Sequence, residues 1–405
     1  MASGWRQSPL GNVIELKRGY DLPKRDRIPG KTPVVSSSGT TDWHSEAKVR
    51  GPGVVTGRYG TLGEIYFIQD DFWPLNTALY VRDFKGNDPR FISYFLRGLD
   101  FSAYSDKAAV PGLNRNHLHE AIVRYPMDIE EQRRIAHILG TLDDKIELNL
   151  RMNQTLEEMT RAIFKDWFVD FGPVRAKLEG REPYLPPELW DLFPDRLADS
   201  ELDEIPEGWE VKALDEIADY RNGLALQKFR PAENEERLPV VKIAQLRAGK
   251  PDGDEWAKAS ITPDCIIDDG DVVFSWSGSL LIKVWCGGPA ALNQHLFKVT
   301  SRQYPKWFYL HSTESHLPAF QAIAAGKTTT MGHIKREHLK EAKCAVPDAA
   351  LMTAVGGILA ELLAKTVLAD VESRALAAQR DALLPRLISG ELRVGTAECT
   401  LEVAK

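Results

Sequence analysis

The sequence predicts an α+β protein with two similar mixed α/β globular domains, separated by an antiparallel pair of long coiled-coil-like helices, with pseudo-two-fold symmetry within one chain. Short motifs recur in the same order in both halves of the 405 residues, which indicates a duplication. Each half also ends in a long segment whose apolar residues follow helical spacing. With 43% hydrophobic and 27% charged residues, the composition is that of an ordinary folded chain.

The duplication is carried by five groups of residues that match between the halves. The offset between matched residues drifts from 204 to 221 along the chain, so the second copy carries net insertions, which loops tolerate best. Chance does not supply five matches in the same order. The matched groups are Trp5, Leu10, Gly19 and Lys24 with Trp209, Leu214, Gly223 and Lys228; 33–35 with 239–241; 53–62 with 271–280; 75–76 with 292–293; and 117–126 with 338–347.

Each copy begins with a globular domain, predicted at residues 1–126 and 209–347. Residues 89–99 have the apolar spacing of an amphipathic helix. Strands are predicted where β-branched or aromatic residues are bounded by Gly, Ser or Pro, at 34–38, 53–57 and 77–84.

The long helices are predicted at residues 127–172 and 348–392. A helix of about 40 residues is roughly 60 Å long, so its apolar face needs an equally long partner, and the other copy's helix supplies one. Asn149 and Asn153 fall on the apolar face of the first helix, where we expect them to fix the register of the pair. The predicted seam consists of Leu139, Leu142, Ile146, Leu156, Ile163 and Trp167 on the first helix and Val355, Ile358, Leu362, Ala369, Leu376 and Leu383 on the second.

Two further segments complete the predicted organisation. Residues 173–208 are rich in proline and acidic residues, and we expect them to form an extended linker between the copies. Residues 393–405 are predicted to be a C-terminal tail.

Charge is unevenly distributed along the chain. The net charge is −7, from 51 basic and 58 acidic residues, and 127–208 is the most acidic segment. Between residues 17 and 58, by contrast, nine basic residues stand against four acidic ones. A local positive surface of this kind suits a polyanion, so the acidic total does not exclude nucleic acid as a partner.

The sequence favours neither a membrane protein nor a secreted one. No apolar run approaches the roughly 18–20 residues of a membrane span, and the first residues lack the basic-then-apolar pattern of a signal peptide. Cys265, Cys286, Cys344 and Cys399 are too scattered for a disulfide framework or a zinc site. We therefore expect a protein of the reducing cytoplasm.

Motifs of catalysis are missing or incomplete. Gly326, Lys327 and Thr328 match the end of a P-loop, but the glycine required at position 321 is Gln321. The sequence contains no H-E-x-x-H zinc motif, no G-x-S-x-G elbow and no G-x-G-x-x-G fingerprint. We therefore predict a binding protein with no catalytic residue, no metal site and no cofactor of its own.

The two copies share apolar positions and turn glycines but differ in the polar residues of their loops. Arg, Lys, Asn, Gln and Ser are the side chains that hold phosphates and read base edges. Two related domains with different polar loops are suited to a target that consists of two different parts. The candidate DNA-binding residues are Lys17, Arg18, Lys24, Arg25, Ser36, Ser37, Ser38, Arg58, Tyr59, Asn76, Asn114 and Arg115 in the first copy, and Arg221, Lys228, Lys242, Gln245, Ser275, Trp276, Ser277, Asn293, Gln294, His295, Lys327, Thr328 and Lys335 in the second.

Several longer stretches carry a resemblance to a known family. They are WRQSPLGNVIEL at 5–16 and IPEGWEVKALDEIA at 205–218, the LNT and LNQ turns at Asn76 and Asn293, the helix 130–168, GKTTTMGHIKREHL at 326–339 and ALLPRLISGELRV at 382–394. With these stretches together, the chain resembles the specificity (S) subunits of type I restriction–modification systems over nearly its whole length.

The resemblance implies a division of labour between subunits. Each globular domain would be a target-recognition domain that binds one half of a bipartite, asymmetric site on double-stranded DNA. The helices would set the spacing and dock two methyltransferase (modification) subunits, which bind S-adenosylmethionine. A restriction subunit, whose presence the sequence leaves open, would add translocation and cleavage with ATP and Mg²⁺. This chain would bind none of these cofactors.

The sequence departs from the family pattern at one position. It also leaves two alternative functions open. Thr353 occupies the position of Gln132 in the second copy, which predicts weaker or different docking of a partner subunit there. The first rival is a tandem-repeat scaffold that binds proteins and no DNA. The second is an ATP-dependent enzyme that uses Gly326, Lys327 and Thr328.

Overall fold

The computed structural model describes residues 4–58, 63–104, 112–326 and 332–394. The chain divides into two compact units, with residues 1–146 and 375–405 in unit 1 and residues 147–374 in unit 2. The boundary at 146/147 lies within the first long helix, and the boundary at 374/375 lies within the second. Below, domain 1 and domain 2 denote the globular parts of units 1 and 2.

Domain 1 is built from three small sheets. A four-stranded antiparallel sheet has the order β2-β8-β5-β6, a second sheet has the order β4-β3-β7, and β1 pairs with β9. The elements are β1 (Trp5–Pro9), β2 (Glu15–Arg18), β3 (Thr32–Ser36), β4 (Gly39–His44), β5 (Gly53–Gly57), β6 (Ile65–Ile68), β7 (Trp73–Pro74), β8 (Ala78–Asp83), α1 (Pro89–Arg97), α2 (Arg115–Glu120) and β9 (Ile122–Pro126), followed by the long helix α3 (Ile129–Phe164).

The core of domain 1 lies between the four-stranded sheet and α1. All five residues of β5 are buried, because the strand is central and covered on both faces. Helix α1 begins as its sequence predicts, with Pro89 in the first turn and the Asp88 side chain accepting a hydrogen bond from the Phe91 amide. Phe91 and Phe95 then pack into the core four residues apart.

The segment between the two copies is folded, which corrects the expectation of an extended linker. It forms α4 (Gly172–Leu178), α5 (Pro187–Trp190) and a hairpin of β10 (Leu197–Ser200) and β11 (Asp203–Pro206). Trp190 and Phe193 are buried, and Phe193 packs against Trp167. The short apolar patches therefore suffice for a fold, because aromatic residues of unit 2 supply the rest of the core.

Domain 2 repeats the topology of domain 1, which confirms the predicted duplication. The sheet β13-β20-β17-β18 corresponds to β2-β8-β5-β6, β15-β14-β19 corresponds to β4-β3-β7, and β12 pairs with β21 as β1 does with β9. The elements are β12 (Glu210–Ala213), α6 (Leu214–Ile217), β13 (Asp219–Asn222), β14 (Arg237–Val241), α7 (Ile243–Ala248), β15 (Trp256–Lys258), β16 (Ile266–Ile267), β17 (Val272–Ser275), β18 (Leu281–Val284), β19 (Ala290–Leu292), β20 (Leu296–Thr300), α8 (Lys306–Ser315), α9 (Leu317–Ala325), α10 (Arg336–Glu341) and β21 (Lys343–Val346), followed by the long helix α11 (Ala349–Ile388).

Within unit 2, α3 and α11 pair through the two predicted asparagines. Asn149 Nδ2 donates to Glu372 Oε2 at 2.7 Å, and Asn153 Nδ2 donates to Asp370 Oδ1 at 2.7 Å and to the Thr366 carbonyl at 3.1 Å. Residue numbers rise along α3 as they fall along α11, so the helices are antiparallel. Asn149 and Asn153 are 1% and 5% exposed, which confirms their place on the seam.

Within unit 1, the same helices pair with apolar residues and one carboxylate. Leu139 and Leu142 of α3 share a core with Leu383 and Leu387 of α11. Asp143 accepts a hydrogen bond of 2.6 Å from Arg380 of α11. The antiparallel direction is the same as in unit 2.

One predicted seam residue is wrong. Ile358 is 40% exposed, while Leu359 is fully buried beside Val355. The buried positions of α11 begin at 351, 355 and 359, so its first turns advance in steps of four. Residues 358 and 359 are both apolar, so the sequence does not show which of them faces the core. Leu359 is the one that packs into the core of unit 2.

Among the described residues, α11 has the length and the mean hydropathy, 1.6 over 18 residues, of a helix that could cross a membrane. Its apolar residues have another explanation here, since Leu351, Val355 and Leu359 are fully buried in the core of unit 2. The same helix exposes Glu361 and Lys365, which form an ion pair at 2.8 Å.

Candidate nucleic-acid interface

Domain 1 brings four of the predicted DNA-binding residues into one cleft of about 340 Å³. Arg18, Arg58, Asn114 and Arg115 line it, together with Leu79. Strand order explains the convergence: β8 lies between β2 and β5, and both Arg18 and Thr56 pair with Leu79 in the sheet. Arg58 follows β5 by one residue, so its side chain lies at the same edge as Arg18.

Two contacts attach α2 and the residues just before it to this edge. The Leu113 amide donates to the Arg58 carbonyl at 2.9 Å, and the Leu16 amide on β2 donates to Nε2 of His119 on α2 at 2.9 Å. Burial, with a smaller contribution from the charge of Arg115, lowers the pKa of His119. The ring is therefore neutral at neutral pH and can accept this hydrogen bond.

The cleft of domain 1 is electropositive. Three of its lining residues are arginines, which stay charged at any physiological pH, and none of its described lining residues is acidic. Guanidinium groups form two parallel hydrogen bonds with phosphate or with the acceptor edge of guanine. The arrangement is therefore suited to an anionic ligand.

The other predicted residues of domain 1 that the structure describes do not line the cleft. Several of them form hydrogen bonds within loops and turns. Lys17 Nζ lies 3.4 Å from the hydroxyl of Tyr20, and Asn76 donates to Asp21. The Ser36 hydroxyl accepts from the Ser38 amide, so the serines at 36–38 build the turn between β3 and β4. Lys24 and Arg25 are exposed in a 3₁₀ turn.

Domain 2 has a different cleft, of about 570 Å³, which is formed by loops that are not equivalent to those of the domain 1 cleft. It contains the predicted residues Lys242, Asn293, Gln294 and His295. Lys242 forms an ion pair with Glu255 across the cleft, and Gln245 donates to Asp252. Cation and anion therefore lie together here, and the described lining of this cleft, with Arg230, Lys242 and Glu255, is less positive than that of the domain 1 cleft.

An aromatic cluster borders the domain 2 cleft. The Trp276 ring lies 5.9 Å from His295 and 5.8 Å from Phe297 between ring centres. Ser277 Oγ lies 3.0 Å from His295 Nδ1, and the buried Ser275 hydroxyl donates to the Ser277 carbonyl. The predicted residues 275–277 thus come together with His295, with Ser275 holding the turn.

Some predictions fall outside both clefts or outside the described residues. Tyr59, Lys327 and Thr328 lie outside the part of the chain that the structure describes. Arg221 pairs with Asp264 at 3.0 Å. The exposed residues Lys228 and Lys335 do not line the cleft of domain 2.

Sequence reasoning missed several residues that line the clefts of domain 2. Gln227 and Arg230 line the cleft that contains Lys242, and the basic pair of Lys228 and Arg230 was the available signal. Arg247 and Gln321 line a neighbouring cleft of about 660 Å³. Nothing in the local sequence predicts their approach, because they come from α7 and α9.

Within the described ranges, no group of three His, Cys, Asp or Glu side chains could hold a metal ion. Cys265, Cys286 and Cys344 are free thiols. Burial raises the pKa of Cys286 and of Cys344 to about 12, so both are protonated at neutral pH and poor nucleophiles.

Gln132 has an internal role in unit 1. Its side chain is 1% exposed. Its Oε1 accepts from the Asp88 amide at 2.9 Å, and its Nε2 donates to Asn87 Oδ1 at 2.7 Å and to the Pro126 carbonyl at 2.8 Å. The side chain of Gln132 is therefore enclosed by its own unit, and the altered docking expected at Thr353 stays a prediction.

Comparison with known proteins identifies relatives for both copies. Residues 2–158 and 206–351 each match the type I restriction modification DNA specificity domain. The HindI specificity subunit of Haemophilus influenzae, a type I restriction enzyme component, is 26% identical over 65% of this chain and 68% of its own length. The MjaIX specificity subunit of Methanocaldococcus jannaschii is 26% identical over 79% of this chain and 74% of its own length.

A solved structure shares the fold. The S subunit of a type I restriction–modification system from M. genitalium superimposes with a TM-score of 0.60. The superposition covers 95% of this chain and 96% of that chain, at 15% sequence identity.

Proposed function

Because the chain belongs to the type I restriction modification DNA specificity domain family, we propose that it is the specificity subunit of a type I restriction–modification complex. Domain 1 and domain 2 each bind one half of a bipartite, asymmetric site on double-stranded DNA. The chain itself carries no catalytic residue and no cofactor. Its work is recognition and assembly in the cytoplasm.

The observation that carries this proposal is the pairing of one topology with two different clefts. Both domains have the same sheet topology, yet the cleft of domain 1 contains three arginines, whereas the cleft of domain 2 is formed by other loops and contains an ion pair beside a Trp–His cluster. Base recognition depends on the donors, acceptors and shapes that a protein presents. Different clefts on one scaffold therefore suit two half-sites of different sequence.

The helix pair supports a role in docking modification subunits. Six large apolar residues on it are exposed by 40–68%, and all of them except Leu150 lie on one face. Each of these five residues directly precedes a buried residue of its helix, and in an antiparallel pair such positions lie on the same face. An exposed apolar face of this extent is typical of a protein interface. The residues are Leu148, Met152 and Met159 on α3 and Ile358 and Leu368 on α11.

The partners in this proposal are two methyltransferase subunits, which bring S-adenosylmethionine. A restriction subunit brings ATP- and Mg²⁺-dependent chemistry where the host encodes one. The length of the helices sets the gap between the half-sites, because a helix does not stretch. Removing seven residues from each helix is expected to shorten the gap and leave both half-site sequences unchanged.

The proposal is tested by sequencing the methylated bases of a host that expresses this chain with its modification subunit. We expect modified adenines in a two-part motif with a fixed unread gap. Exchange of domain 2 for that of a relative should change one half of the motif only. A contiguous motif would contradict the proposal. Absence of methylation, together with no gel shift of DNA by the assembled complex, would favour the scaffold alternative.

A further inference from the structure

The cleft of about 570 Å³ in domain 2 contains an ion pair of Lys242 and Glu255 in its lining. Lys242 directly follows β14 and Glu255 directly precedes β15, and these two strands pair with each other. The two side chains remain 44% and 56% exposed in the ion pair. An ion pair so exposed contributes little to stability. Both groups can therefore exchange each other for a ligand at small cost.

The backbone that carries Glu255 is fixed by contacts within domain 2. The Glu255 carbonyl accepts from the Val240 amide at 3.0 Å, and the Trp256 indole donates to the Gly253 carbonyl at 2.9 Å. The guanidinium of Arg237 lies 4.5 Å above the Trp256 ring. These contacts hold the end of the loop against β14, so the position of Glu255 is set before any ligand binds.

The loop that carries Lys242 is attached to the loop before Glu255 by Gln245. The Lys242 amide donates to Gln245 Oε1 at 3.1 Å at the start of α7, and Gln245 Nε2 donates to Asp252. Asp252 also accepts from the Asp254 amide at 3.1 Å. Gln245 is thus a positioning residue that fixes the two loops relative to each other. Recognition of a base requires side chains that are held in this way.

The repeat places different residues at these positions in domain 1. Sheet register matches Pro33 with Pro239, Trp43 with Trp256, Asp42 with Glu255 and Ser36 with Lys242. Asp42 forms an ion pair at 2.7 Å with Arg27, whose side chain is only 11% exposed. The Ser36 hydroxyl accepts from the Ser38 amide within its turn. In domain 1 the equivalents of Lys242 and Glu255 are therefore held apart by contacts within their own domain.

We propose that Lys242 and Glu255 together recognise one G·C base pair, through its major-groove edge, in the half-site bound by domain 2. This inference rests on the proposed function. Guanine presents two adjacent acceptors, O6 and N7, and cytosine presents the N4 amino donor. The Lys242 ammonium donates to guanine, and the Glu255 carboxylate accepts from cytosine. An A·T pair fits less well, because its two acceptors lie on either side of the adenine amino group, beside the thymine methyl.

Recognition of cytosine also accounts for a carboxylate in a cleft that binds DNA. Phosphates repel an acidic side chain, so a carboxylate lowers the affinity for every duplex unless a base donates to it. Asp254 provides the comparison, since it is exposed on the same loop and is not among the residues that line the cleft. Its charge acts on any duplex alike, whereas that of Glu255 acts on one base pair.

The test measures base preference along the half-site of domain 2. Sequencing of methylated bases identifies the motif, and exchange of domain 2 identifies its half. The chain, assembled with its modification subunits, then binds duplexes with this motif or with one base pair of the half-site replaced. Lys242→Met and Glu255→Ala are each expected to lower discrimination about tenfold at one and the same G·C pair. Discrimination at the other positions should be unchanged.

Two further variants control for charge and for folding. Asp254→Ala removes an equal charge and should change the affinity for all duplexes alike, with discrimination retained. Lys242→Arg keeps a donor and should retain the preference for guanine. Thermal melting establishes that each variant is folded.

Several outcomes would overturn the assignment of the G·C pair. They are a half-site of domain 2 without a G·C pair, unchanged discrimination in Lys242→Met or Glu255→Ala, losses at two different base pairs, or equal effects of Glu255→Ala and Asp254→Ala. Failure of the proposed function differs from all of these, since the unaltered complex would then methylate no two-part motif.

Discussion

The two units attach their globular domain to the long helices with different chemistry. In unit 1 the joint adds a charged centre to its apolar contacts. Asp143 on α3 accepts hydrogen bonds from Tyr94 at 2.7 Å, Arg97 at 3.0 Å and Arg380 at 2.6 Å. Three elements, α1, α3 and α11, therefore meet at one carboxylate. Burial opposes its ionisation, but the hydrogen bonds from Tyr94 and Arg380 hold the pKa of Asp143 below its usual range.

In unit 2 the corresponding joint is aromatic. Phe164 and Phe168, at the end of α3, pack against Trp307 and Phe308 of α8 with ring centres 5.6–6.4 Å apart. A single ion pair, between Arg161 and Glu314 at 2.7 Å, accompanies them. The same contact between elements is therefore compatible with a joint that contains a charged group or with an aromatic one.

A second difference concerns the residue before the proline that opens α1 in domain 1 and its counterpart α8 in domain 2. Asp88 precedes Pro89, and its amide depends on Gln132. Tyr304 precedes Pro305, and its amide donates to the nearby Ser301 hydroxyl at 3.0 Å. Because the donor is satisfied locally in domain 2, position 353 needs no long amide side chain. Thr353 is exposed there and bonds its own helix backbone.

Breaking the aromatic joint should have the largest effect. Phe168→Ala removes a ring that is 4% exposed and leaves a cavity, so we expect a loss of about 3–5 kcal/mol in the stability of unit 2. The loss should be independent of salt. Urea unfolding with hydrogen exchange resolved by unit measures it. Val169→Ala, at a position 44% exposed, is the control, and equal losses in both variants would contradict the assignment.

Breaking the polar joint should cost slightly less. Asp143→Ala leaves Arg97 and Arg380 without their carboxylate, for a loss of roughly 3 kcal/mol in unit 1. The pKa of Asp143 is lowered in the fold, so its contribution is present above the unfolded pKa and is lost as pH falls through the folded one. Asp144→Ala removes an exposed pair with Arg90 and should cost less than about 1 kcal/mol. Acid titration of unfolding distinguishes the two.

Alanine variants at the equivalent positions 132 and 353 form a matched pair for comparison. Gln132→Ala leaves the buried Asp88 amide and Pro126 carbonyl short of a partner, which is expected to cost about 2 kcal/mol. Thr353→Ala removes only a hydroxyl on the surface of α11 and should change stability by less than about 0.5 kcal/mol. Both are read from urea midpoints. A large loss on Thr353→Ala would restore a specific role for that position.

The smallest effect is a pH response of domain 1. His119 must be neutral to accept from Leu16, and its folded pKa is lowered by burial and by Arg115 and Lys85, against the opposing charge of Glu15. Its contribution is present above the unfolded pKa and is lost as pH falls, by no more than about 1 kcal/mol.

Hydrogen exchange at Leu16 between pH 7 and pH 5 detects this response. His119→Gln should remove the difference between the two pH values at that amide. The repeat equivalent of His119 is the exposed Lys340, so domain 2 provides the internal reference. A response that persists in His119→Gln would assign it to another group.

The sequence by itself determined the duplication, the paired helices and the place of Asn149 and Asn153 on their seam. Each of these is written in local periodicity or in repeated motifs, which one strand or helix expresses without help from the rest of the chain. The family resemblance rests on the same stretches.

Only the tertiary structure decided which polar residues act together. Arg18, Arg58 and Arg115 are distant in sequence and converge because β8 separates β2 from β5 and a loop returns to Arg58. The inward role of Gln132 and the folded state of residues 173–208 likewise depend on contacts with distant elements. The physical reason is that side-chain partners are set by sheet order and packing, and neither is encoded in the spacing of one segment.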